Sequence, residues 1–142
     1  MLPWTILPTG LDACGPQGIS GDCDLTLLNQ QRLHGRLDQF HDGDRSIDLR
    51  MARQRGLVSL PLREVQWLRM RAPAEAAAAL AAAPAAAVPI RLSGPCARPV
   101  PGLCLRSRAV PGGLWLDLLD AQGEVHRWFV HDVPQVELKR LN

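Results

Sequence analysis

The sequence predicts an all-β chain made of two consecutive small β-barrels. Three observations carry that expectation. Short stretches alternate apolar and polar residues at the period of a half-buried strand, as in Ser46-Ile47-Asp48-Leu49-Arg50. Turn-forming clusters such as His41-Asp42-Gly43-Asp44 and Asp120-Ala121-Gln122-Gly123 punctuate them. The pattern running from Asp24 to Met70 then returns, more loosely, from Pro89 to Leu141. The expected organisation is an N-terminal arm (1–23), a first barrel module (24–71), an Ala/Pro linker (72–88) and a second module (89–142).

Within the arm, Pro3, Pro8, Gly10, Gly15, Pro16, Gly18 and Gly21 interrupt regular structure every few residues. Trp4, Ile6 and Leu7 are its apolar exception and predict a short strand or hook docked on the barrel, with presentation of Trp4 to a partner as the alternative. The first module reads as five strands. Leu25 and Leu27 are followed by the polar turn Asn29-Gln30-Gln31, and a second strand runs from Arg32 through Phe40. Gly35 in its middle permits the sharp bend that a small closed barrel needs. Ser46 to Arg50 is the third strand, Arg53-Gln54-Arg55-Gly56 a turn, and Leu57-Val58-Leu60 and Val65 to Met70 the last two, joined through Pro61 to Glu64.

The linker, RAPAEAAAALAAAPAAAV from Arg71 to Val88, has room for a short helix over Ala74 to Ala83 between Pro73 and Pro84. In the second module Pro89 to Leu92 answers the first strand, and Gly102 to Arg106 answers the strand around Gly35. Gly113 to Leu119 corresponds to Ser46–Arg50, Glu124 to Val130 to Leu57–Leu62, and Val133 to Leu141 closes the unit. His126, Trp128 and Val130 alternate with Val125, Arg127 and Phe129, so one set is expected in a core and the other in water.

Composition narrows the function classes. Sixteen basic residues, all Arg except Lys139, face fourteen acidic ones, and each half carries a net charge of +1. A nucleic-acid binder usually shows a basic face, and nothing in this evenly spread balance requires one. Aromatic content is 4% with no Tyr, so stacking platforms are scarce. No charge-free apolar run reaches the roughly 18 residues of a membrane helix. The start MLPWTILPTG lacks a basic n-region and a long apolar stretch, which reads as cytoplasmic. Cys14, Cys23, Cys96 and Cys104 form no CxxC pair, and their spacing predicts thiols rather than a zinc site.

Leu25 to Leu49 resembles the first Sm motif of Sm-like and Hfq-like proteins: an apolar strand, a polar turn, apolar-x-Gly at Leu33 to Gly35, then an Asp-bearing turn before Ser46-Ile47-Asp48-Leu49. The resemblance implies an Sm-like or SH3-like barrel fold. It departs at Ser46, where that family carries a base-reading Asn, and at Leu60-Pro61-Leu62, where its second motif would lie. The RNA site is therefore not carried over, and RNA contact by Arg50, Arg53 and Arg55 rests on fold analogy. Arg32 and Arg36, with Asp44 and Ser46, resemble the two cyclic-di-GMP motifs of PilZ domains, which implies cyclic-dinucleotide binding as a further alternative. The Gly expected three residues after that Ser is Leu49 here.

Catalytic patterns such as G-x-S-x-G, H-E-x-x-H and the nucleotide-binding glycine motifs are missing, so no enzyme, cofactor or metal is expected. His34, His41, His126 and His131 read as ordinary surface or core histidines. The phrases RLHGRLDQF and GGLWLDLLDAQGEVHRWFV resemble the non-catalytic N-terminal region of some type II secretion and type IV pilus traffic ATPases, which implies a docking or regulatory module. The function expected is thus protein interaction without catalysis. Trp4, Trp67, Trp115 and Trp128 are the candidate partner contacts, and pairing of edge strands between copies is a second mode of association.

Overall fold

The computed structural model describes residues 7–11, 18–52, 56–72, 87–95 and 98–141. They build one open antiparallel sheet of ten strands. The first five are β1 (Ile19–Leu27), β2 (Arg32–Phe40), β3 (Ser46–Arg50), β4 (Leu57–Pro61) and β5 (Val65–Arg71), with a short 3-10 turn at Leu62–Glu64 before β5. The second five are β6 (Val88–Ser93), β7 (Val100–Val110), β8 (Gly113–Leu119), β9 (Val125–His131) and β10 (Glu137–Arg140). Across the sheet the order is β10-β6-β7-β8-β9-β5-β1-β2-β3-β4. Each half thus places its fifth strand beside its first, followed by the second, third and fourth.

The duplication extends to side-chain detail. A Cβ added to Gly35 would lie 3.2 Å from the Arg50 carbonyl oxygen and 3.6 Å from the Leu49 Cβ. At Gly102 the same atom would lie 3.3 Å from the Leu119 carbonyl oxygen and 3.4 Å from the Leu118 Cβ. Both second strands therefore approach the third strand at a position where a side chain is crowded. Two non-equivalent turns are closed by side chains: in the β1–β2 turn Asn29 Oδ1 accepts from the Gln31 backbone N–H at 3.0 Å, and in the β8–β9 turn Asp120 Oδ1 accepts from Gln122 and Glu124 at 2.9 Å each.

Two separately closed barrels are not what forms. Among the described residues the outer strands are β4 and β10, and β5 pairs on one side with β1 and on the other with β9. The edge that would close a unit on itself is occupied by the other unit. Leu68 stands opposite Phe129, and Arg69 opposite Trp128, in this joint ladder.

One consequence is that the halves share their cores. The first core gathers Leu25, Leu37, Phe40, Ile47, Leu49 and Leu68 but also Trp115 and Phe129 from β8 and β9. The second gathers Ile90, Leu92, Leu114, Leu116, Trp128 and Val130 but also Trp67 from β5. The cores lie on opposite faces of the sheet, because neighbouring residues of β9 point to opposite sides and both sides are covered. This corrects the expectation that one set of β9 residues is wet: Trp128, Phe129 and Val130 are all buried. Phe40, Trp115 and Phe129 pack edge-on and tilted, with centroids 5.2–5.9 Å apart.

Polar ties cross the same boundary. Asp42, in the turn after β2, accepts from the Arg108 guanidinium and from Trp115 Nε1 at 3.2 Å. Buried His131 lies with Nδ1 2.8 Å from the Val65 carbonyl oxygen, which can only accept, so Nδ1 carries the proton. On the outer face of the second unit, fully buried Asp117 is held by Arg106 Nε at 2.7 Å and Arg127 Nε at 2.9 Å. The arm is anchored too: Leu7 enters the second core, Leu11 the first, and Ser107 Oγ donates to the Pro8 carbonyl at 2.7 Å. β1 starts at Ile19, inside the stretch read as arm. Trp4 and the helix expected over Ala74 to Ala83 lie outside the described residues.

Candidate functional site

Three open clefts line one face of the sheet around β1, β2 and β5, and all three include His34. The residues come together by register. On β1, Asp22, Asp24 and Thr26 point away from the core residues Cys23 and Leu25. Asp22 pairs with Arg36, Asp24 with His34, and Thr26 with Arg32. Arg36 in turn stands opposite Arg50 on β3, and Arg71 on β5 opposite His126 on β9. Arg98, just before β7, overlooks the cleft lined by Trp67, Arg69 and Trp128.

Six arginines, Arg32, Arg36, Arg50, Arg69, Arg71 and Arg98, line these clefts against two carboxylates, Asp22 and Asp24. Ten basic residues and twelve acidic ones make up the remainder of the chain. This clustering is one that the overall charge balance does not require. Charge balanced along the sequence becomes unbalanced in space, because strands distant in sequence turn their arginines to one side.

At the centre, Asp24 joins two partners. Arg69 Nη2 donates to its Oδ2 at 2.6 Å, and His34 Nδ1 lies 2.8 Å from its Oδ1. Burial acts to raise the Asp24 pKa, but the hydrogen bonds from Arg69 and His34 and their charges outweigh it and hold the carboxyl below the usual range. The Arg69 guanidinium also sits 6.0 Å from the Trp128 ring centroid. The cleft of about 610 Å³ beside Arg36 and Arg50 is different in kind. Like charges directly across a ladder repel, and neither guanidinium makes an ion pair with a described residue.

Of the residues singled out in sequence for nucleotide or RNA contact, Arg32, Arg36 and Arg50 share this face. Asp44 does not join them: its Oδ2 accepts the His41 backbone N–H at 2.8 Å and closes the β2–β3 turn. Ser46 is exposed on β3, away from the clefts, and Arg53 and Arg55 lie outside the described residues. The expected tryptophan contacts are corrected by burial. Trp115 is 1% exposed, Trp67 4% and Trp128 7%, since the shared ladder sandwiches each between the two units.

Sequence reading missed Arg69, Arg71 and Arg98, and nothing in their local spacing marks them. It also missed the approach of Asp120, Glu124 and His126, whose ligand atoms lie within 4.8 Å of one another. There Asp120 Oδ2 is 3.8 Å from His126 Nδ1 and Glu124 Oε2 is 3.9 Å from Nε2, so the carboxylates address opposite ring nitrogens. Cys23 and Cys104 are free and buried, and burial pushes both thiols up to about 12, which leaves them poor nucleophiles. No described helix is long and apolar enough to cross a membrane. Comparison with protein-family models, curated proteins and solved structures finds no match for this chain.

Proposed function

We propose that this chain is a non-catalytic protein-interaction module. Two Sm-like units in tandem supply a fused plate, and the arginine-lined face over β1, β2 and β5 is its docking surface. The excess of six guanidinium groups over two carboxylates among the residues lining its clefts carries the reading. Exposed arginines around open clefts suit a partner-binding surface, since Arg combines charge, planar hydrogen bonding and apolar contact. The docking domain of a secretion or pilus machine, located in the cytoplasm, is the setting the sequence resemblance implies.

RNA binding is the second reading, and the same arginines favour it. Against it stands the burial of every described Trp and Phe, which leaves no large aromatic ring exposed for stacking among those residues. A cyclic dinucleotide is less well served, because Asp44 is committed to its own turn. A photo-crosslinking residue placed at His34, exposed and common to all three clefts, tests the reading in the native cells. A protein adduct is expected; an adduct to RNA, or none above the unmodified control, would overturn it.

A further inference from the structure

The row of residues at one end of the arginine-lined face specifies a partner chemistry. Across the strands it runs from His126 and Arg71 to Asp22, Arg36 and Arg50. Neighbouring strands are about 4.8 Å apart, so the side chains of Arg36 and Arg50 start close enough for both to reach a single carboxylate or phosphate. Among the described residues nothing bridges them. Both side chains are exposed, so they are free to reach a ligand from solvent.

We infer that this row receives an acidic segment of a partner protein, with Asp or Glu carboxylates seated on Arg36, Arg50 and Arg71. The inference rests on the interaction reading above and names its ligand. Two observations favour carboxylates over a nucleic-acid backbone. Asp22 and Asp24 stand between the arginines, where a continuous run of phosphates would meet them, whereas a peptide places its charges singly. Base stacking on Trp or Phe, which supports binding to single strands, has no exposed ring of those types to use among the described residues. Arginine forks match carboxylates bidentately, so the contact has directionality as well as charge.

The test is a fluorescence anisotropy titration of the full chain with a labelled Glu-Ser repeat peptide, its Gln-Ser counterpart and an oligouridine of equal length. Saturable, salt-sensitive binding of the Glu-Ser peptide alone is expected. The double variant Arg36→Glu/Arg50→Glu should weaken it roughly tenfold or more. Lys139→Glu/Arg140→Glu, an equal charge change on exposed residues of β10, should leave it within about twofold. Circular dichroism confirms that both variants fold. Tighter binding of oligouridine, equal losses in both double variants, or no binding of the Glu-Ser peptide at low salt would each overturn the inference. A protein adduct at His34 together with a flat Glu-Ser titration would leave the interaction reading standing and remove this one alone.

Discussion

The β5–β9 junction and the outer edges β10 and β4 hold equivalent places in the two units, yet their chemistry is opposite. Aligning Gly35 with Gly102 brings Cys23 onto Ile90 and hence Met70 onto Arg140. Trp67, Leu68 and Met70 of the junction then correspond to Glu137, Leu138 and Arg140 of β10. Matching Val125 with Leu57 places Phe129 on Pro61. Where the halves meet, the strands are long and buried on both faces; at the rim, β10 has four residues and β4 ends in a proline with no N–H to donate. The comparison teaches that pairing through this edge is used once, inside the chain, and blunted where a second molecule would meet it.

The largest effect that would break the comparison lies at the junction. Phe129→Ala removes a ring that belongs to β9 but fills the first core, and should cost about 3–5 kcal/mol. Because each core holds side chains of the other unit, urea unfolding followed by Trp fluorescence and by circular dichroism should give one coincident transition. Two separated transitions would mean that the halves stand independently.

A smaller effect sharpens it at the rim. The wild-type chain is expected to sediment at its monomer mass of 15.5 kDa. Pro61→Val combined with Lys139→Val restores a donor to β4 and removes a charge from β10. That variant should self-associate with concentration in analytical ultracentrifugation, while its unfolding free energy moves by only about 0.5–1 kcal/mol. A wild-type dimer, or a variant that stays monomeric at high concentration, contradicts the idea that these two residues guard the edges.

The smallest effect concerns the Asp24–Arg69 pair that joins β1 to β5. Its carboxyl is held below the usual range, so the pair's contribution is complete above the unfolded pKa of about 4 and disappears as pH falls through the lower folded value. Both groups are nearly half exposed, and water screens them, so the contribution is a fraction of a kcal/mol, roughly 0.2–1. The difference in stability between wild type and Asp24→Asn should shrink as pH drops below about 4. A difference that persists unchanged into acid would assign the pair no electrostatic role.

Much of the strand pattern was legible because it is local. β3 at Ser46–Arg50 and β8 at Gly113–Leu119 match the sequence reading residue for residue, since alternation defines the first and a short apolar run between turns the second. β1 was read as starting at Asp24, because Gly18 and Gly21 look like loop; in the structure both take positive φ, 73° and 144°, beside an irregular stretch of the β1–β2 register. Arg32, Arg36 and Arg50 were visible as candidate contacts, but their company was not. Arg69 and Arg71 reach the same face only through the β1–β5 and β5–β9 ladders, and Arg98 through the sheet order that sets β7 two strands from β9; these pairings join residues far apart in the chain.

By itself the sequence determined the strands, the turns between them and the repetition of a five-strand unit, because backbone preference and side-chain alternation act over a few residues. Tertiary structure alone decided that β5 pairs with β9 rather than closing its own unit. That choice depends on which edge offers the better ladder and the larger buried area, a comparison between distant segments. The same choice buried Trp67, Trp115 and Trp128 and set the arginines on one face, and no local pattern encodes either outcome.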